Sequence, residues 1–445
     1  MLIATACTVA LGLGCSEKKA PEAAVPAPTT TEAKLAAQGT QPAQGAQPAQ
    51  GAPSPAPTAS KASPKGLVLA LSQFSGATPK PARFELVMPS DTGASVEGLE
   101  DADSNVFHKV LPIDLGAKGK ALISLGGMKA MVKLRQREGA GFSAQTLWSE
   151  AFGGKFDRMR DAELGDVDGD GLTDIAVGTH DQGVVAYLKQ STAGSYSVER
   201  LDRQANTFIH EIELGDLDGD GVLEIYATPS EPNRLDAGAQ SGTVVRYVPK
   251  KKEGRTVVAD LGNRHAKEIL VADVDGDGRD ELYVAVEALT KGDRNNVEIV
   301  EPVEIRRYDA GTPKDKGRVV ARIRDRYCRF LTAGDVDGDG KKEMVAAAFR
   351  SGVWLLRPGA DAKAEWSVEN IESNSSGFEH AALLTDLDGD KKDELYVAAD
   401  DQGELRRYVW NAGKPARTTL LKRENPRETW TWNITPAPAE LFKKP

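Results

Sequence analysis

The sequence predicts an all-β fold, a seven-bladed β-propeller of four-stranded antiparallel blades preceded by a disordered stalk. Three observations predict it. An acidic motif, D-x-D-G-D-x-x-x-[D/E], occurs five times, within GDVDGDGLTD, GDLDGDGVLE, ADVDGDGRDE, GDVDGDGKKE and TDLDGDKKDE. Its first aspartates, Asp166, Asp216, Asp273, Asp335 and Asp386, stand 50, 57, 62 and 51 residues apart, a period that fits propeller blades or solenoid coils. Each period also holds four β-rich runs separated by Gly, Asn, Asp and Pro, and four antiparallel strands make one blade.

The runs follow one order. In the first repeat RDAELGD leads into the acidic loop, and DIAVGT, GVVAYL and YSVERL follow it. The other repeats keep this plan, so the loop joins the first and second strands. An earlier segment, HKVLPIDLGAKGKALISLGGMKAMVKL, has the same plan with a degenerate loop, Asp114 lying 52 residues before Asp166. Lys118 stands there where a ligand aspartate would be, and its ammonium is expected to replace the ion. Residues 66–445 have room for about seven units of this size. The seventh is composite: RETWTWNIT supplies its inner strand, and KGLVLAL and ARFELVM supply outer ones. Pairing the chain ends in one blade closes the ring and removes exposed edges.

Ahead of the repeats, residues 2–14 form an uncharged apolar run too short to span a bilayer as a helix, and Cys15 follows it. The segment resembles a bacterial lipoprotein signal over 1–14, although no Lys or Arg precedes the run and Gly12 stands where leucine is usual. The resemblance implies lipidation at Cys15, export, and a lipid anchor in the bacterial cell envelope, at the outer membrane or cell surface. Residues 15–65 are rich in Ala, Pro, Gln, Thr and Ser. They offer too little apolar surface to offset the entropy of ordering, which predicts a flexible linker. Three cysteines, Cys7, Cys15 and Cys328, provide no disulfide framework. Cys328 reads as a small buried apolar side chain.

The formal charge is -10, which argues against a nucleic-acid partner. The side-chain ligand positions of the five loops hold 20 of the 66 acidic residues, and five divalent ions would bring the loaded protein close to neutral. Calcium takes six to eight oxygens, mostly carboxylate and carbonyl. In the first loop Asp166, Asp168 and Asp170 converge because Gly169 and Gly171 permit a sharp turn; the Leu172 carbonyl and the Asp174 carboxylate complete the cage. The corresponding ligands are Asp216, Asp218, Asp220, Val222 and Glu224; Asp273, Asp275, Asp277, Arg279 and Glu281; Asp335, Asp337, Asp339, Lys341 and Glu343; and Asp386, Asp388, Asp390, Lys392 and Glu394. An EF-hand would carry Glu at position 12, where these loops have Val177, Ala227, Val284, Ala346 and Val397. That excludes the EF-hand. The repeats resemble the FG-GAP or VCBS repeats of integrin α-subunit propellers and many bacterial surface proteins, clearly so from about 108 to 424. The resemblance implies that these ions brace a hairpin and perform no chemistry. Lys391, in place of glycine at position 6, predicts the weakest affinity for the fifth loop.

A second column lies six residues before each first aspartate: His108, Arg160, His210, Lys267, Arg329 and His380, all basic or imidazole. They open the inner strand at the end away from the acidic loop. The second strand returns to that end with His180, Ser230, Glu287, Phe349 and Asp400. A cationic ring of this kind suits an anionic or sugar-like ligand, an extracellular protein or glycan. The alternative is a repeated structural latch between blades. Neither G-x-S-x-G nor H-E-x-x-H is present. The expected function is therefore a membrane-anchored binding, adhesion or scaffold module. The alternative is a lyase-like enzyme acting on polysaccharide, since some polysaccharide lyases use propellers with similar loops.

Overall fold

The computed structural model describes residues 65–232, 239–293 and 296–442, and its regular structure is β-strand apart from five three-residue 3-10 turns. Cys15, the signal at 1–14 and almost all of the 15–65 linker lie outside the described residues. Seven four-stranded antiparallel sheets form seven blades. Blade 2 is Phe107–Asp114, Lys120–Gly126, Ala130–Glu138 and Gly141–Glu150. Blade 3 is Met159–Gly165, Asp174–Thr179, Val184–Gln190 and Tyr196–Arg203. Blade 4 is Phe208–Gly215, Glu224–Ser230, Thr243–Val248 and Glu253–Asp260. Blade 5 is Ala266–Ala272, Glu281–Val286, Val303–Tyr308 and Arg318–Ile323, with an added hairpin, Leu289–Asp293 and Asn296–Glu301. Blade 6 is Cys328–Gly334, Glu343–Ala348, Val353–Arg357 and Ser367–Glu372. Blade 7 is Ala382–Thr385, Glu394–Ala399, Glu404–Asn411 and Lys414–Lys422.

Blade 1 is composite, as expected. Its inner strand is Thr429–Ala437, which pairs antiparallel with Gly66–Ser75 from Gly66↔Ala437 to Gln73↔Thr429. Ala82–Ser90 and a further strand, Gly93–Asp101, complete it. The first strands of successive blades are neighbours all the way round, including Thr429–Ala437 against Phe107–Asp114 and Ala382–Thr385. They line the axis.

Packing follows from this arrangement. The second strands of blades 3 to 7 are buried along their whole length, because a neighbouring blade covers each face. Outer strands such as Tyr196–Arg203 are largely exposed or half-buried. The apolar core is divided into seven clusters, and each fills the wedge between two adjacent blades. Cys328 is buried in the wedge between blades 5 and 6, where burial pushes its thiol well up.

Two local features depart from the sequence reading. In blade 2 the ammonium paired with the Asp114 carboxylate is that of Lys120, while Lys118 makes no bond to Asp114 and lies near Gly194. Lys120 opens the second strand directly opposite Asp114, so the ladder itself delivers the ammonium. The inner strands also carry a β-bulge in blades 2 to 6. Arg160, Lys267 and Arg329 are extra residues in their ladders, and the pairs His108–Lys109 and His210–Glu211 each oppose one residue. In blade 4 the Thr228 hydroxyl accepts both freed N–H groups, from His210 at 3.3 Å and Glu211 at 2.9 Å.

Candidate metal centres and the opposite channel mouth

Each acidic loop is wound around its first aspartate. In the first loop Asp166 accepts the N–H of Gly169 at 2.8 Å, Asp170 at 2.9 Å and Gly171 at 2.8 Å, and Asp170 accepts that of Leu172 at 3.0 Å. The N–H of position 6 reaches the first aspartate in the other four loops too, from Gly221, Gly278, Gly340 and Lys391 at 2.6–3.0 Å. This winding needs a left-handed residue at position 6. The four glycines there have φ of 78 to 87°, and Lys391 is held at 71°. A side chain in that conformation costs about 1 kcal/mol, which the fifth loop alone carries.

The turn gathers carboxylate oxygens within 4.8 Å of one another: Asp273, Asp275, Asp277 and Glu281 in the third loop, and Asp166, Asp168 and Asp174 in the first. In the second, fourth and fifth loops the group is the first three aspartates, Asp216, Asp218 and Asp220; Asp335, Asp337 and Asp339; and Asp386, Asp388 and Asp390. Glu224, Glu343 and Glu394 stand outside those groups but turn back to the loop, accepting the N–H of Leu217, Val336 and Leu387 at 3.0–3.3 Å. Burial, with repulsion from nearby aspartates, raises Asp174 to about 6 and Glu281 and Glu394 to about 7. These groups therefore hold charge at a cost that a cation offsets. Neither imidazole nor thiolate enters any of the five groups. The all-oxygen donor set fits a hard divalent cation.

Sequence reasoning missed a second layer. The Tyr226, Tyr283 and Tyr396 hydroxyls donate to Glu224, Glu281 and Glu394, two residues earlier on the same strand face. Arg246 and Arg307, opposite Tyr226 and Tyr283, reach the same glutamates at 2.7 and 3.3 Å. The tripeptides EIY and ELY were the available signal.

At the other end of the inner strands the basic column divides. His108 Nδ1 bonds the Met159 carbonyl of blade 3 at 2.8 Å, and His380 Nδ1 bonds the Ala348 carbonyl of blade 6 at 2.6 Å. His380, with φ of 57°, precedes its strand. Arg160 and Arg329 come from blades 3 and 6 to one buried carboxylate, Glu379, so the channel is crossed by a three-blade bridge. Lys267 makes neither a hydrogen bond nor an ion pair. Its ammonium lies 5.2 Å from the Tyr327 ring, and burial with repulsion from Arg329 lowers it to about 8. The His210 ring is buried, its Nε2 without a partner, 5.8 Å from the His180 ring. Glu287 accepts the Cys328 N–H of the next blade at 3.1 Å with one oxygen, leaves the other unpaired, and is raised to about 8 by burial. Ser230 bonds its neighbour's carbonyl, at Glu231, and Phe349 packs edge-on against Tyr327. Over this mouth Phe378 stacks on Trp430 with centroids 4.8 Å apart and remains 44% exposed.

Asp400 accepts the Thr431 N–H at 2.5 Å and its hydroxyl proton at 2.9 Å, tying blade 7 to the closing strand. Burial raises its carboxyl to about 7. A raised carboxyl contributes stability that is present below its ordinary value and lost as pH rises through 7, here up to roughly 4 kcal/mol. At saturating calcium, Asp400→Asn is expected to gain in melting temperature relative to wild type between pH 6 and pH 8.5. Parallel curves for the two proteins would contradict this.

Residues 166–227 match the FG-GAP-like repeat family. Together with seven four-stranded blades, this match supports an FG-GAP repeat propeller. No curated protein matches it. Among solved structures, a candidate 6-phosphogluconolactonase from Bacteroides fragilis superposes with a TM-score of 0.50 at 13% identity, covering 83% of this chain and 98% of that one. A Lactobacillus plantarum protein gives 0.53 at 10%, covering 83% and 98%. A functionally unknown protein from Desulfotomaculum acetoxidans gives 0.50 at 10%, covering 84% and 99%. These likenesses concern the fold.

Proposed function

We propose that this protein is a calcium-braced binding module, lipid-anchored through Cys15 in a bacterial cell envelope, that offers an anionic extracellular glycan or protein a site at the channel mouth opposite its calcium loops. Calcium supplies the positive charge that lets four acids share each loop. Asp166, Asp216, Asp273, Asp335 and Asp386 hold the turns, and the position 9 carboxylates tie each loop to its second strand.

The observation that carries the ligand reading is Lys267. Its half-buried ammonium has neither a hydrogen bond nor an ion pair, so an incoming carboxylate or sulfate would find a cation not already spent on a protein carboxylate. Arg160 and Arg329 stand at the same mouth, and the Phe378–Trp430 face beside them suits a sugar ring. A glycan array with and without calcium identifies the ligand class. Lys267→Met is expected to abolish binding of an anionic ligand found there while leaving the melting temperature unchanged or higher. A variant that melts lower and still binds would make Lys267 a latch. Depolymerisation of a bound polysaccharide would replace the binding reading with the lyase-like one.

A further inference from the structure

Position 8 of each loop contributes no ligand, yet in four of the five it touches the preceding blade's loop or the glycine that enters it. In the third loop Asp280 accepts the main-chain N–H of Asp216 at 2.8 Å. In the fifth, Asp393 accepts the N–H of Asp335 at 2.8 Å and returns its own N–H to the Asp335 carbonyl at 2.8 Å. The other two contacts differ in kind. Lys342 of the fourth loop donates from a flexible stem to the Asp273 carbonyl at 2.9 Å. Leu223 of the second lies against Gly165, where a Cβ would come within 2.7 Å of its Cδ1. Only the two aspartates hold the N–H of a neighbouring loop's first ligand.

The residue before that ligand fits this contact. A Cβ on Gly334 would lie 2.4 Å from Asp393 Oδ2; one on Gly215 would lie 3.1 Å from Asp280 Oδ2 and closer still, 2.1 Å, to Val271 Cγ1. Where the visitor is the long side chain of Lys342, the residue is Ala272.

We infer that Asp280 and Asp393 are positioning residues that couple the calcium sites in two pairs, the second loop with the third and the fourth with the fifth; this rests on the calcium reading above. Position 8 sits between two expected donors, the position 7 carbonyl and the position 9 carboxylate. Fixing those two fixes the backbone between them, and with it the carboxylate that holds Asp216 or Asp335. The neighbouring loop then meets its own ion with its first ligand already oriented. Coupling of this kind is reciprocal, so each member of a pair tightens the other.

The test follows hydrogen exchange of the segment 334–343 against free calcium, with the segment 165–174 of the first loop as internal control. In wild type, disabling the fifth loop by Asp388→Asn with Asp390→Asn is expected to raise the calcium midpoint of the fourth loop at least five-fold. In Asp393→Ala that midpoint is already raised, and the fifth-loop lesion adds nothing. Asp280→Ala, read at 215–224, is the parallel arm should Asp393→Ala fail to fold. A fourth-loop midpoint that is the same in all variants overturns the coupling alone. Absence of calcium-dependent protection from every loop of the wild type overturns the calcium reading with it.

Discussion

Chelation of calcium is expected to lower the melting temperature by on the order of 20 °C, and calcium in excess to restore it. An ion at one hundred times its dissociation constant contributes about 2.7 kcal/mol to the folded state, and five sites together reach the whole stability of an ordinary domain, about 5–15 kcal/mol. The loops earn this size of effect by position. Each joins the inner strand to the fully buried second strand, so a loop that opens by repulsion among its aspartates loosens two wedges of core at once. Magnesium should restore less, because it demands a tighter octahedral cage and holds its waters. Scanning calorimetry with chelator, then with each metal, measures this.

Removal of the closing strand is the second large effect. Truncation after Glu428 deletes Thr429–Ala437, leaving Gly66–Ser75 without its inner partner and exposing the wedges on both sides of blade 1. Buried Trp432, Ile434, Ala437 and Leu441 would be lost, at roughly 1.5–3 kcal/mol for each large side chain. The ring would also gain an open strand edge. The truncated chain is expected to be insoluble or to lack a cooperative melt even in calcium, whereas one ending after Phe442 should match the full chain. A truncated monomer that melts cooperatively would show that the ring closes without this strand.

Local chemistry was legible in the sequence, and geometry across blades was not. The first-aspartate column, the strand plan and the pairing of the chain ends are encoded within one repeat or by its period. The carboxylates that gather in each turn all come from one nine-residue loop, so spacing alone brings them together. Glu379, bridging Arg160 and Arg329 across the channel, lies 219 and 50 residues from its partners, and no periodic signal connects them. The bulges that free Arg160, Lys267 and Arg329 from their ladders leave no composition signature either. The error at Lys118 has the same origin. Loop position favoured it, but the ladder puts Lys120 opposite Asp114. Position 8 looked like a spacer because its partner belongs to another blade, 58 residues away for Asp393 and 64 for Asp280.

If the five acidic loops hold calcium and the Lys120 ammonium takes its place in blade 2, the folded chain binds five ions. Native mass spectrometry of the folded chain, titrated with calcium, tests it most directly. A ladder of species ending at five ions per chain is expected, and a final count of four for a variant with Asp166→Asn and Asp168→Asn together. A folded protein that retains no calcium at millimolar concentration would contradict it.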